Sequence, residues 1–144
     1  MTTDYVFRLP LLALAGAHAR HHRDTFSYLF AWESPFMDGR FGSCHGLDIP
    51  FVFGTVVEPS IAVFAGAGAH AQALSERMQE AWVAFATSGD PSCDAVGEWP
   101  RYDTTRRPTM VFEPGGAIED DPRRAERLAW EEAGVAPRLG HHHD

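Results

Sequence analysis

The stretch Thr25–Trp32 constrains the fold more than any other part of the chain. Phe26, Tyr28, Phe30 and Trp32 alternate on one face, and Thr25, Ser27, Leu29 and Ala31 occupy the other. Period-2 alternation marks a strand, and a strand apolar on both faces must be covered on both. A second segment, His70–Ser88, repeats Leu74, Met78, Ala81, Trp82 and Phe85 at helical spacing, with Glu76, Arg77, Gln79 and Glu80 on the opposite face. That stripe reads as core. A covered strand followed by a long amphipathic helix predicts an α/β architecture.

Weaker signals place the remaining elements. Pro10 suits the start of a helix over Leu11–His22. Ser34–Gly46 reads as loop, and Asp48–Phe53 as a short turn or helix with inward aromatics. Gly66 and Gly68 mark a small-residue junction, while Gly89 and Pro91 stop the long helix. Thr109–Phe112 is a strand candidate. Asp120 or Asp121 is expected to cap a final helix that has Pro122 at its first position and ends at Gly134. Arg123, Arg124, Glu126 and Arg127 read as a solvated charged face. No internal repeat is evident, and Val135–Asp144 is expected to be a disordered tail.

Charge bounds the partners. The net charge of -8 argues against nucleic acid and anionic membrane, and all twelve Lys/Arg cations are arginine. No stretch has the length of a transmembrane helix. Leu9–Ala19 resembles a signal-peptide core with an Ala-x-Ala ending, but Asp4 ahead of it and Pro10 within it favour an amphipathic helix. Cys44 and Cys93 read as free thiols in a reducing compartment, which places the chain in the cytoplasm.

The chemistry concentrates at His45. It lies in Phe41-Gly42-Ser43-Cys44-His45-Gly46-Leu47-Asp48-Ile49-Pro50-Phe51-Val52-Phe53-Gly54, where a carboxylate follows three residues later and an aromatic-aliphatic-aromatic-glycine run closes the segment. Imidazole titrates near neutrality, so it can take a proton from a nucleophile and return it to a leaving group. Cys44 stands beside His45, but adjacent side chains rarely aim at each other, so it reads as an inert packed thiol. His18, His21 and His22 fall at i, i+3 and i+4, a spacing that can chelate a metal. Without a Glu between His18 and His22 or an evident third ligand, a solvated helix end fits better. His141–His143 is a short histidine tract with weak metal affinity at most. No metal and no cofactor are expected.

The His45 segment resembles the histidine motif of the type B carboxylesterases, the α/β-hydrolase group that includes the cholinesterases. The similarity continues through Met78-Gln79-x-Ala81-Trp82-x-x-Phe85, Gly89-Asp90-Pro91, Trp99-Pro100-x-Tyr102-Asp103 and Thr109-Met110-x-Phe112, in the family's order and over residues 5 to 130. The resemblance implies residues 1–134 as the C-terminal strands and helices of an α/β-hydrolase fold, with an incomplete sheet. It implies His45 as the general base of a Ser-His-acid triad. The triad acid belongs to an upstream loop. Asp48 then either orients the His45 loop by hydrogen bonds or serves as a plain structural anchor. None of the seven serines sits in a Gly-x-Ser-x-Gly elbow, which in this fold precedes the histidine. The expectation is a segment for carboxylic ester hydrolysis, inactive alone, whose small-molecule substrate is an ester of the complete enzyme. Its macromolecular partner would be itself or an N-terminal esterase half. The alternative is a non-catalytic interaction protein that pairs through an exposed sheet edge.

Overall fold

A computed structural model describes residues 4–134; the tail Val135–Asp144 and its histidine tract lie outside the described residues. A π-helical turn, Asp4–Arg8, leads into α1, Leu9–Ala19. Strand β1 is Tyr28–Phe30. Helix α2, Ile49–Val52, and a 3-10 turn, Thr55–Val57, precede α3, Pro59–Ala65, and the long α4, Ala69–Ser88. Strands β2, Pro108–Phe112, and β3, Ile118–Asp120, are followed by α5, Arg124–Glu132.

The three strands form one sheet in the order β1-β2-β3. β1 and β2 are parallel, with Tyr28 opposite Met110, Leu29 opposite Val111 and Phe30 opposite Phe112. Parallel neighbours need a crossover, which helices α2 to α4 supply. β2 is buried at every residue. The expected α/β class therefore holds. β1 is shorter than the predicted strand and lies at an edge of the sheet among the described residues. Its flanks find other partners: the Thr25 carbonyl accepts from Tyr102 N at 2.7 Å, and Trp32 Nε1 donates to Ala65 O at 2.8 Å.

β3 was not foreseen, although its turn is written in Glu113-Pro114-Gly115-Gly116. Gly116 N donates to Glu113 O at 3.0 Å, with Pro114 and Gly115 at the turn's centre. Gly115 has φ +76°, the left-handed value that the third position of a type II turn requires.

Two compact units divide the chain. One comprises Tyr28–Trp99 and Met110–Ile118. Its core gathers Leu47, Phe51, Leu74, Met78, Met110 and Phe112, all essentially inaccessible. Within it α2 packs on α4, where Ser75 Oγ donates to the Phe51 carbonyl at 2.7 Å. The predicted α4 stripe is buried at Leu74, Met78 and Ala81, but Phe85 is 47% exposed. Arg77, assigned to the solvated face, is half-buried and donates to the carbonyls of Ala95 (3.2 Å) and Gly116 (2.9 Å). A guanidinium reaches that far because its apolar stem lies along the surface while the head finds carbonyls.

The other unit holds residues 4–27, 100–109 and 119–134 of the described chain. Here the α5 expectations need correction. Arg127 is buried, not solvated, and is gripped by Asp121 and Glu131. Neither Asp120 nor Asp121 caps the helix: Arg123, at φ +55°, takes that position without a side-chain cap bond. Asp121 is spent on Arg127, and Asp120 on Arg106 at 3.0 Å. Pro122 lies ahead of the helix, and its carbonyl accepts from Arg8 Nη2.

Candidate functional site

The loop that carries His45 is pinned at successive points. Ser34 N donates to Gly42 O at 3.0 Å and closes the segment between them, while Ser34 Oγ donates to Phe64 O at 2.5 Å. Ser43 Oγ then donates to the carbonyl of Phe30, the last residue of β1, at 2.7 Å. The backbone next makes a tight turn, with Leu47 N donating to Cys44 O at 3.2 Å. His45 and Gly46 are its central residues. Gly46 has φ +78°, which a side chain at that position would resist. His45 thus stands exposed at the tip of a turn whose far end, Leu47, is fully buried.

α2 follows at once. Its Asp48 carbonyl accepts from Phe51 N and Val52 N, each at 3.0 Å. Phe51 is inaccessible and packs at 5.1 Å from Phe30 and 5.5 Å from Trp32. The aromatics of the Ile49–Gly54 run therefore do face inward at Phe51, whereas Phe53 is 73% exposed.

Asp48 occupies the N-cap position of α2 yet makes no side-chain cap bond. Its Oδ2 instead accepts the hydroxyl of Tyr28, on β1, at 2.9 Å. The Tyr28 ring is held edge-on by Trp82 at 5.0 Å and by Phe112 at 6.0 Å. Tyr28 is 40% exposed, yet the partial cover of its ring, and secondly the Asp48 carboxylate, hold the phenol's pKa above the usual tyrosine range. Both influences act in the same direction, so the hydroxyl keeps its proton and remains a donor.

Both predicted site residues, His45 and Asp48, thus share one short loop. Tyr28 and Ser43 were missed as its supports. A hydroxyl inside an otherwise apolar strand was the available signal for Tyr28, since a tyrosine there needs a partner for its polar tip.

His18 and His22 stack at 4.7 Å, and His18 Nδ1 lies 2.7 Å from Thr25 Oγ1. Among the described residues no group of three or more His, Cys, Asp or Glu could hold a metal ion. Cys44 and Cys93 are free thiols. No helix of the described residues is long and apolar enough to cross a membrane.

Known proteins resemble this chain in both sequence and backbone. The model of the carboxylesterase family matches residues 1–130. The para-nitrobenzyl esterase of Bacillus subtilis is 34% identical, over 88% of this chain and 25% of its own length. Acetylcholinesterase 1 of Caenorhabditis briggsae is 31% identical, over 90% of this chain and 23% of its own. Among solved structures, a PNB esterase superposes with a TM-score of 0.78 at 31% identity, covering 89% of this chain and 26% of that one. A Geobacillus stearothermophilus carboxylesterase gives 0.76 at 35%, covering 90% and 26%. The chain spans about a quarter of the length of the curated relatives it matches. Sequence and backbone agree with these α/β-hydrolase esterases over most of this chain, and the chain belongs to the carboxylesterase family.

Proposed function

We propose that this chain supplies the general base for carboxylic ester hydrolysis, with His45 as that base and Asp48 as the carboxylate that orients its loop. The supporting observation is the exposed His45 at the tip of a turn anchored by Ser43 and Leu47. An imidazole so placed can accept a serine proton as the serine attacks the ester, then return it to the departing alcohol. In this reading residues 1–134 are part of one type B carboxylesterase domain. The nucleophile, the triad acid and the oxyanion donors come from other esterase sequence. The substrate is a small carboxylic ester, no cofactor takes part, and the free thiols fit a cytoplasmic setting.

One observation favours a second reading, that of a non-catalytic interaction protein. Ile49, Phe53 and Val57 expose apolar side chains around α2, a surface that another chain could cover. The two readings separate in a complementation assay. The chain is co-expressed with the N-terminal portion of a para-nitrobenzyl esterase, cut before the segment that matches Tyr5. The esterase reading expects no saturable hydrolysis by the chain alone, restored hydrolysis in the pair, and abolition by His45→Ala. Restored activity that survives His45→Ala would refute the base assignment. A stable complex without hydrolysis would favour the interaction protein.

A further inference from the structure

We propose that Tyr28 is a positioning residue for the His45 turn, its hydroxyl tying Asp48 to strand β1 and thereby fixing the loop that carries the base. This deepens the esterase reading and rests on it for its catalytic consequence.

The first observation is what Asp48 forgoes. An aspartate at a helix N-cap ordinarily accepts a backbone N–H of the first turn. Here the Asp48 backbone is helical, with φ -70° and ψ -27°, and the carboxylate reaches Tyr28 Oη at 2.9 Å without a cap bond. Its backbone carbonyl is meanwhile engaged by Phe51 N and Val52 N. The residue is thus gripped by the helix through its carbonyl and by the sheet through its side chain.

The second observation is the rigidity of the donor. Tyr28 sits in the β1–β2 ladder opposite Met110, and its ring stands edge-on to Trp82 and Phe112. A ring held on two sides aims its hydroxyl in one direction. The raised phenol pKa keeps that hydroxyl protonated across the range in which an imidazole titrates. Tyr28 is therefore a standing donor and passes no proton itself.

The third observation is the layout of the loop. Upstream of His45, Ser43 ties the chain to β1 through the Phe30 carbonyl. Downstream, the Tyr28–Asp48 bond returns to that same strand. The turn is bracketed by two ties to one strand, and a base so bracketed keeps its orientation through proton transfer. Small displacements of a reacting group have large kinetic effects, which gives the second tie a function beyond packing.

The test begins on the whole chain without any partner. Histidines are labelled with 13C and 15N, and the His45 ring signals are assigned by their loss in His45→Ala. Tyr28→Phe removes one hydroxyl and retains the ring that packs on Trp82 and Phe112. We expect Tyr28→Phe and Asp48→Ala each to displace and broaden the His45 signals, with the double variant no different from either alone. The other histidine signals should stay in place. In the complemented esterase, Tyr28→Phe should lower kcat about tenfold with little change in KM. Unmoved His45 signals in Tyr28→Phe, alongside displaced ones in Asp48→Ala, would overturn the proposal, as would additive effects of the two. Collapse of all the histidine signals in Tyr28→Phe would also overturn it, in favour of a purely structural tyrosine. Hydrolysis that survives His45→Ala would instead defeat the base assignment, and the spectra would still decide whether Tyr28 sets the turn.

Discussion

Two corners of this chain hold strained or exposed backbone in place by opposite means. At the start of α5, Asp121 and Arg123 adopt φ values of +51° and +55°, which non-glycine residues resist. That corner is clamped by charge: Arg127 reaches Asp121 Oδ2 at 2.5 Å and Glu131 at 2.6 Å. The His45 turn puts its left-handed position on Gly46, and none of the four anchors described above is a cation. Ser43, Leu47, Asp48 and Tyr28 hold it by neutral donors, burial and one carboxylate. The difference is chemically sensible. Under the proposed function a guanidinium beside His45 would disfavour its protonated form, whereas the Asp121–Arg127 clamp has only geometry to serve.

The largest effect should come from breaking the clamp. Asp121 and Arg127 side chains are 12% and 10% exposed, so removing Arg127 leaves Asp121 under shallow cover with only the longer Arg124 contact at 3.9 Å. Arg127→Ala is expected to cost about 2 kcal/mol in urea unfolding, short of the ~3–5 of a deeply buried pair. An unchanged midpoint would mean that the strained corner is held by something else.

The same pair has a pH signature. Hydrogen bonding to Arg127 lowers the Asp121 pKa below its ordinary value, although burial opposes the shift. A depressed folded-state pKa gives stability that is present above the unfolded value of about 3.9 and is lost as pH falls through the folded one. Unfolding midpoints measured downward from pH 5 should therefore fall more steeply in the parent than in Asp121→Asn. Parallel curves would show that Asp121 gains nothing from its partner.

Gly46→Ala tests the other corner. Space is no obstacle, since the new Cβ would meet only Ile49 Cδ1 at 3.7 Å. The left-handed backbone is the obstacle, at about 1 kcal/mol. The loss of hydrolysis in the complemented esterase should exceed that modest loss of stability, because the turn presents His45. Equal stability with full activity would mean that the turn tolerates another shape.

These contrasts also explain what could be read in advance. The His45 segment was legible because its constraints are local: a glycine in a tight turn, a buried Leu47 and an inward Phe51 within one short window. α4 was legible by periodicity, apart from Phe85, because helical spacing reports which face points inward but not how far cover extends along it. The charged start of α5 misled, because a run of arginines and carboxylates reads as solvated unless one knows which acid lies opposite which base. Tyr28 and Asp48 are far apart in sequence, and only the fold of β1 against the loop discloses their bond. β3 needed only the Pro114–Gly115 turn to be taken as a hairpin signal.

The smallest effect is expected at Arg101, and it sharpens the comparison most cleanly. Arg101 Nε bonds Asp24 Oδ1 at 2.9 Å, one contact where Arg127 grips Asp121 through two, and its two side chains are 57% and 67% exposed. Water and salt screen such a pair, and holding two long side chains together costs entropy. Arg101→Ala should therefore change the unfolding midpoint by less than about 0.5 kcal/mol, and by less still in 0.5 M salt. Arg127→Ala in that salt should keep most of its effect, because the clamp lies under cover. If the two variants instead converge at high salt, both pairs act through solvent. The contrast between a clamped corner and a surface pair would then be one of geometry alone, and the strained φ values at Asp121 and Arg123 would need another source of support.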